Sequence, residues 1–367
     1  MKVLHVTKKY PHALGGDAVV VANLQKQQQA AGHRVVIVTS NCDAIKTGEH
    51  IYKIGLKDTP SGLDNITIRR IISLIMLFFQ MFFVLYKERP NVIHTHSVDM
   101  TFFVSFAARW YRIPLIHTFH IVTFYDKSQP ALRRKSELWL VRKSEARHIT
   151  APNAYDVKKL QMAGLSQAVL LSNGVDLALW KSHGYTEKNK IVTFVAVGRL
   201  ETQKGYEYLI EAVALLAKTW PLHVIIIGNG SQKAILEKLT QKLGVEKFVT
   251  LAGQKTPREI RTILTEAHAA VFPSLYETTP LTLLEAWAAS IPAIATPVGI
   301  LRDAPSNFKA ASIIPAKDPH ALADAMEQFI KNEQLRKTTA ESGYAEVKKY
   351  TWSTVARSLE AIYRSER

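Results

Sequence analysis

The chain has 367 residues, 47% hydrophobic and 21% charged, which is enough for two domains that each bury a core. Its single cysteine, Cys42, excludes an intrachain disulfide and favours a reducing compartment. The net charge of +16 is uneven: residues 1–190 carry 26 Lys/Arg against 13 Asp/Glu, and residues 191–367 carry 21 against 18, so the front half is the one drawn to an anionic partner.

Met1 to Val6 has a short strand pattern, with Lys8 and Lys9 following at once. That apolar run is too short for a signal peptide, so a cytoplasmic location is expected. Gly15 and Gly16 then precede a helical pattern over Ala18–Ala31. Two glycines there let backbone approach a ligand, and they also suit a plain strand-to-helix turn. After a strand pattern at Val35–Thr39, the most apolar stretch runs from Ile71 to Tyr86, broken only by Ser73 and Gln80. It falls short of the roughly 20 residues that span a bilayer. A buried helix packed on a sheet is favoured over one lying against lipid between Arg69-Arg70 and Lys87/Arg89.

Strand patterns follow at Val92–Thr95, Leu115–Thr118 and Ile149–Ala151. Histidines gather around the first two: His94, His96, His117 and His120. No cysteine or carboxylate set accompanies them, so no metal site is expected. His94 and His117 read as core residues, whereas His120 lies past its strand and suits a ligand contact. Ala131 to His148 reads as a basic helix around Leu138, Trp139 and Leu140, suited to an anionic membrane surface or to a solvated face. Periodicity fades between Asp176 and Asn189, where Gly184, Lys188 and Asn189 suggest a hinge.

The rear half repeats the alternation of strands and helices. Strand patterns lie at Ile191–Val197, Leu222–Ile227, Phe248–Leu251, Ala269–Pro273 and Pro292–Ala295. Helical ones lie at Tyr206–Lys218, Gln232–Leu243 and Pro257–Glu266. Two such alternating sets predict an α/β protein of two doubly wound parallel-sheet domains facing across a cleft. Gly198-Arg199-Leu200 closes one strand, with Lys204 five residues after Arg199. An Arg fork and a Lys point charge on one loop suit a diphosphate. Ile227-Gly228-Asn229-Gly230 would let a base or ribose slide over bare backbone. From 277 to 285 the chain reads Glu-Thr-Thr-Pro-Leu-Thr-Leu-Leu-Glu. Thr279 or Thr282 is expected to cap the helix there. Its first N–H groups face a phosphate, Glu277 accepts from sugar hydroxyls, and Glu285 lies within reach of ribose hydroxyls. The apolar neighbours of Glu285 argue that it is not simply solvated.

Together these segments resemble the retaining, GT-B-fold glycosyltransferases of family 4. They comprise Gly15-Gly16, Val92-Ile93-His94-Thr95-His96-Ser97, Thr118-Phe119-His120, Asn173-Gly174-Val175-Asp176, Gly198-Arg199-Leu200 with Lys204-Gly205, and Pro273-Ser274-Leu275-Tyr276-Glu277 with Glu285. The resemblance runs over nearly the whole chain. It implies two Rossmann-like domains: residues 1–176, completed by a last helix within 351–367, for the acceptor, and residues 190–350 for the nucleotide-sugar donor. It implies that Arg199 and Lys204 bind the donor diphosphate, Glu285 the ribose, and Glu277 the donor sugar. The N–H groups of Leu281 and Thr282 would touch phosphate or sugar, His120 the sugar, and Gly16 the phosphate and acceptor. Gly198, Gly228 and Gly230 complete the donor loop. Where the family often has Gly-Phe-Gly before Leu281, this chain has Thr278-Thr279-Pro280. Where it often has Gly-Gly-x-Pro-Glu, this chain has Gly299-Ile300-Leu301-Arg302-Asp303.

The expected activity is transfer of a hexosyl unit from a nucleotide diphosphate sugar to a hydroxyl of a glycan, glycolipid or small polyol. It would serve cell-surface glycan or glycolipid synthesis, in the cytoplasm or on the inner face of the plasma membrane. No cofactor is expected and, with no Asp-x-Asp motif, no required metal. A nucleotide-sugar 2-epimerase of the same architecture and a catalytically inactive subunit are the alternatives. A nucleic-acid partner is not expected, because no recognised module accompanies the charge.

Overall fold

The computed structural model describes residues 1–10, 16–41, 50–53, 66–122, 124–125, 130–181 and 191–365. Gly15, Cys42, the hinge residues Gly184, Lys188 and Asn189, and the side chains of Arg69 to Leu74 lie outside the described set. The chain divides into two compact units, Met1–Asn173 with Trp352–Arg367, and Gly174–Thr351.

The first unit is built on strands β1 (Lys2–Lys9), β2 (Arg34–Asn41), β3 (Ile51–Lys53), β4 (Val92–Thr95), β5 (Leu115–Thr118), β6 (His148–Ala151) and β7 (Ala168–Leu170). They form one sheet in the order β3-β2-β1-β4-β5-β6-β7, and every pairing is parallel. Parallel neighbours need crossovers, and helices supply them: α1 (Gly16–Ala30), α2 (Ile66–Glu88), α3 (Val98–Trp110), α4 (Ala131–Ser144) and α5 (Ala154–Met162). The central strands are buried along their length, as a sheet covered on both faces requires. Leu77, Met81, Val84 and Leu85 of α2 join the core, so this helix is packed on the sheet as its sequence suggests. Its other side carries Ile75, Phe79, Phe83 and Tyr86, all exposed.

The second unit opens with α6 (Leu177–Trp180), whose N-terminus is capped by the Asp176 carboxylate. Trp180 is buried with Val195, Ile227 and Leu283, so the start of the expected hinge stretch is anchored to this unit. Strands β8 (Val192–Val197), β9 (Leu222–Ile227), β10 (Val249–Gly253), β11 (Ala269–Phe272), β12 (Ala293–Ala295) and β13 (Ser312–Ile313) make a second parallel sheet, ordered β10-β9-β8-β11-β12-β13. Helices α7 (Tyr206–Leu216), α8 (Lys233–Leu243), α9 (Pro257–Glu266), α10 (Leu281–Ala288), α11 (Pro319–Lys331) and α12 (Glu333–Val347) flank it. Trp287 of α10 is fully buried and donates its indole N–H to the Ala310 carbonyl at 2.8 Å. Burying an aromatic of this kind contributes about 3 kcal/mol. The last helix, α13 (Trp352–Arg364), returns to the first unit and packs on α1, where the Gln28 amide donates to the Tyr363 hydroxyl at 3.3 Å.

Three strands were not expected from sequence: β3, β7 and β13. Each holds only two or three residues and lies at the edge of its sheet. A strand that short shows no periodicity to read.

Candidate functional site

In the second unit the loop after β8 folds back on itself. A 3-10 turn at Thr202–Lys204 ends in Gly205, which is left-handed at φ 65° and becomes the entry to α7. A methyl at Gly205 would collide with the Pro273 carbonyl, so the close approach of this loop to the end of β11 depends on glycine. Gly198 lies under the Lys204 side chain. A methyl there would meet the Tyr206 hydroxyl at 2.7 Å and the Lys204 ammonium at 3.3 Å. Gly228, at φ 147°, abuts the Gly198 carbonyl, and Gly230 abuts Leu200. The structure therefore brings Gly198, Lys204, Gly228 and Gly230 into one loop cluster, although they come from the ends of two different strands.

Lys204 reaches across to Glu277, and their ion pair is largely shielded, with side-chain exposures of 15% and 13%. Ser274 donates to the same carboxylate at 3.1 Å. Arg199, next to Gly198, is exposed and has no side-chain partner among the described residues. Its charge contributes to holding the carboxyl of nearby Glu201 below the ordinary range, behind the larger effect of two hydrogen bonds from Ser231.

Helix α10 begins differently from expectation. Neither Thr279 nor Thr282 caps it: the N-cap is Pro280, which has no side-chain acceptor to offer. Its carbonyl accepts from Leu283 at 3.1 Å, which leaves the N–H groups of Leu281 and Thr282 with no acceptor among the described residues. The preceding segment is pinned from outside, because Gly299, at φ 59°, sits directly against the Thr278 carbonyl. Along α10, Leu283, Leu284, Ala286, Trp287 and Ala288 are buried, while Leu281, Thr282 and Glu285 are half-buried and share one face. Glu285 has no side-chain partner among the described residues, and burial pushes its carboxyl up to about 7. Hydroxyl donors brought to this carboxyl would stabilise its charged form, which burial otherwise disfavours.

In the first unit five histidines collect at one end of the sheet. The parallel register sets His5 of β1 beside His94 of β4. His5 Nδ1 lies 2.9 Å from His96 Nε2, and His96 Nδ1 lies 3.1 Å from His120 Nε2. His94 bonds the Tyr363 hydroxyl at 2.7 Å and the Thr118 hydroxyl at 2.6 Å. Burial keeps all these imidazoles neutral: His5 is lowered to about 4, His117 to about 3, and His94, His96 and His120 are lowered too. His5, His94 and His96 place ring nitrogens within 4.8 Å of one another, a spacing that could hold a metal ion. Each of their six nitrogens already has a hydrogen-bond partner, however. Sequence reading found His94, His96, His117 and His120 but missed His5 and Gln28, because only the fold brings these distant positions together. Gly16 opens α1 and is exposed.

The same unit carries an exposed aromatic ridge. Phe78 stacks edge-on to Phe106, Phe82 to Trp110, and Phe102 lies against Trp139, so α2, α3 and α4 are joined by rings. Phe79, Phe83, Tyr86, Trp110 and Trp139 are more than half exposed. Arg133, Lys135 and Lys143 of α4 are exposed as well, and Arg142, also exposed, donates to the Ala163 carbonyl. No helix among the described residues is long and apolar enough to cross a membrane.

Comparison with known proteins agrees with this architecture. The family model for glycosyl transferases group 1 matches residues 180–346, and that for Glycosyltransferase Family 4 matches residues 14–179. The glycogen synthase of Mycobacterium tuberculosis is 26% identical over 391 residues, covering 99% of this chain and 94% of its own. A D-inositol 3-phosphate glycosyltransferase of Corynebacterium urealyticum is 26% identical over 75% of this chain and 71% of its own. Among solved structures, Anabaena Alr3699/HepE in complex with UDP-glucose superposes with a TM-score of 0.81 at 17% identity, with both chains covered in full. With two parallel sheets of this order and family models matching from residue 14 to residue 346, the chain belongs to the family 4 glycosyltransferases and has the GT-B fold.

Proposed function

We propose that this glycosyltransferase moves a hexosyl unit from a nucleotide diphosphate sugar to an acceptor hydroxyl, with the anomeric configuration retained. The observation that carries the reading is the shielded Lys204–Glu277 pair, set on a loop that closely packed glycines hold against the ends of β9 and β11. An ammonium has three N–H donors, so Lys204 can keep Glu277 and still bind a phosphate oxygen. Arg199 is the second cation on the same loop, and the open N–H groups of Leu281 and Thr282 add the positive end of α10. HepE, which shares the fold, is solved with UDP and with UDP-glucose.

In the proposed step the bond between the sugar's anomeric carbon and the phosphate oxygen breaks, and its electron pair goes to that oxygen. The acceptor oxygen attacks the same face, and its proton passes to the departing phosphate. We assign no side chain as a covalent nucleophile; Arg199, Lys204 and the start of α10 act by stabilising charge that grows on the diphosphate. These cations do the work a metal would otherwise do, so neither a metal nor a cofactor is required. Glu285 takes the ribose hydroxyls, while Glu277 and His120 take the sugar's. The second chemical reading, 2-epimerisation, would convert the donor with no acceptor present. Incubating donor alone and analysing the products separates the two: a transferase gives slow hydrolysis, an epimerase a new nucleotide sugar.

The acceptor side is assigned to the first unit, whose aromatic ridge and cations fit an anionic membrane surface. That fit supports the reading that the work belongs to cell-surface glycan or glycolipid synthesis, on the inner face of the plasma membrane. Donor hydrolysis and transfer, measured with and without a chelator on a lipid-linked, a glycan and a polyol acceptor, test the proposal. Strict dependence on a divalent ion would contradict its metal-free step.

A further inference from the structure

A row of three neutral imidazoles runs from the interior of the first unit to His120. Each neutral ring has one N–H and one lone pair, so the direction of every bond in the row follows from either end. The buried end is Gln28, whose Oε1 lies 2.8 Å from His5 Nε2 and whose Nε2 lies 3.3 Å from the Tyr363 hydroxyl. The first distance is ordinary for N–H donating to a carbonyl oxygen. The second suits an amide N–H and is too long for O–H donating to oxygen. The amide oxygen therefore faces His5. His5 donates from Nε2, its Nδ1 accepts from His96 Nε2, and His96 Nδ1 accepts from His120 Nε2.

We propose that Gln28 is a positioning residue that fixes the tautomer of His120 through His5 and His96, placing the proton on Nε2 and the acceptor lone pair on Nδ1. The opposite polarity would be self-consistent if the amide were turned round, so the choice belongs to Gln28 and not to the rings. Among the described residues no charged group is hydrogen-bonded to the buried end: His5, His96 and Gln28 are all buried, and His5 is kept neutral by that burial. At the other end the charge of Asp17 favours the protonated form of His120, and burial outweighs it, so the ring is neutral there too. Resting on the reading of His120 as a sugar contact, the consequence is specific: an acceptor at Nδ1 takes a hydroxyl, whereas a donor there would suit a phosphate oxygen.

The test needs no sugar nucleotide, so its failure is distinct from failure of the transferase reading. The full chain, labelled with nitrogen-15, is examined by long-range proton–nitrogen correlation near neutral pH, and the His120 signals are assigned by their loss in His120→Gln. The expected result is a protonated, pyrrole-like Nε2 and a bare, pyridine-like Nδ1 at His120. A protonated Nδ1 in the native protein would overturn the proposal. In Gln28→Met the His120 tautomer should lose its preference, and its two nitrogen signals should move toward each other. An unchanged His120 in a folded Gln28→Met protein, judged by its circular dichroism, would remove Gln28 from the role. If that variant does not fold, His96→Phe cuts the row at its middle and must loosen the His120 tautomer in the same way.

Discussion

Lys204 and Glu277, 73 residues apart in the chain, form a shielded ion pair in which the ammonium also stands over Gly198. Its position explains why a loop and a distant strand end act together. If the ammonium stabilises the departing diphosphate, Lys204→Met lowers turnover by at least ~100-fold, as does Arg199→Ala. Lys204→Met also leaves a partly buried carboxylate unpaired, at a cost of about 2 kcal/mol. Adding Glu277→Gln to Lys204→Met should restore the stability but not the turnover. Steady-state rates and urea denaturation of the three proteins check both halves.

Glu285 makes stability depend on pH in a direction opposite to most acids. Burial raises its carboxyl from the ordinary 4.5 to about 7 in the folded protein. Between those values the folded state holds a proton that the unfolded state has lost. Stability therefore falls as pH rises through that window, by about 3 kcal/mol from this residue. Glu285→Gln should be the more stable protein at pH 8, match the native one near pH 4, and bind donor less tightly. Parallel pH curves for the two proteins would contradict the assignment.

Two glycines with positive φ separate backbone freedom from backbone contact. Gly244 closes α8 at φ 67° with open space around it, so Gly244→Ala should cost about 1 kcal/mol. Gly228 sits against the Gly198 carbonyl, and a methyl cannot be placed there without moving the loop that carries Arg199 and Lys204. Gly228→Ala should lose several times as much stability, or should fail to fold its unit. Thermal unfolding of the two variants side by side gives the comparison.

Attachment to an anionic surface through the ridge of α2, α3 and α4 predicts flotation with vesicles containing phosphatidylglycerol at low salt, weakening as salt rises. Phe79→Ser with Phe83→Ser and Trp110→Ser should abolish flotation and leave turnover on a soluble acceptor unchanged, since these side chains are exposed and lie outside the loop cluster. Flotation equal to that of the native chain would remove the ridge from the account.

Most of the architecture was legible because parallel central strands are apolar along their whole length and alternate with amphipathic helices. Val92–Thr95, Leu115–Thr118, Leu222–Ile227 and Pro257–Glu266 have the same bounds in sequence pattern and in structure. Edge strands of two or three residues carry no such signal. The loop residues Gly198, Arg199 and Lys204 could be picked out together, whereas the pairing of Lys204 with Glu277 could not, because it depends on β8 and β11 lying side by side. The cap of α10 falls on neither Thr279 nor Thr282 for a local reason: Pro280 takes the cap position and the helix begins at Leu281. The partners of His96 were hidden for a distant one, since His5 is 91 residues away in the chain.

Titration calorimetry of the full chain with UDP, GDP and ADP tests the central claim most directly. One of the three should bind to the native protein and lose most of its affinity in Lys204→Met. If no nucleoside diphosphate and no sugar nucleotide releases or absorbs heat with the folded native chain, the loop cluster around Lys204 is not a donor site.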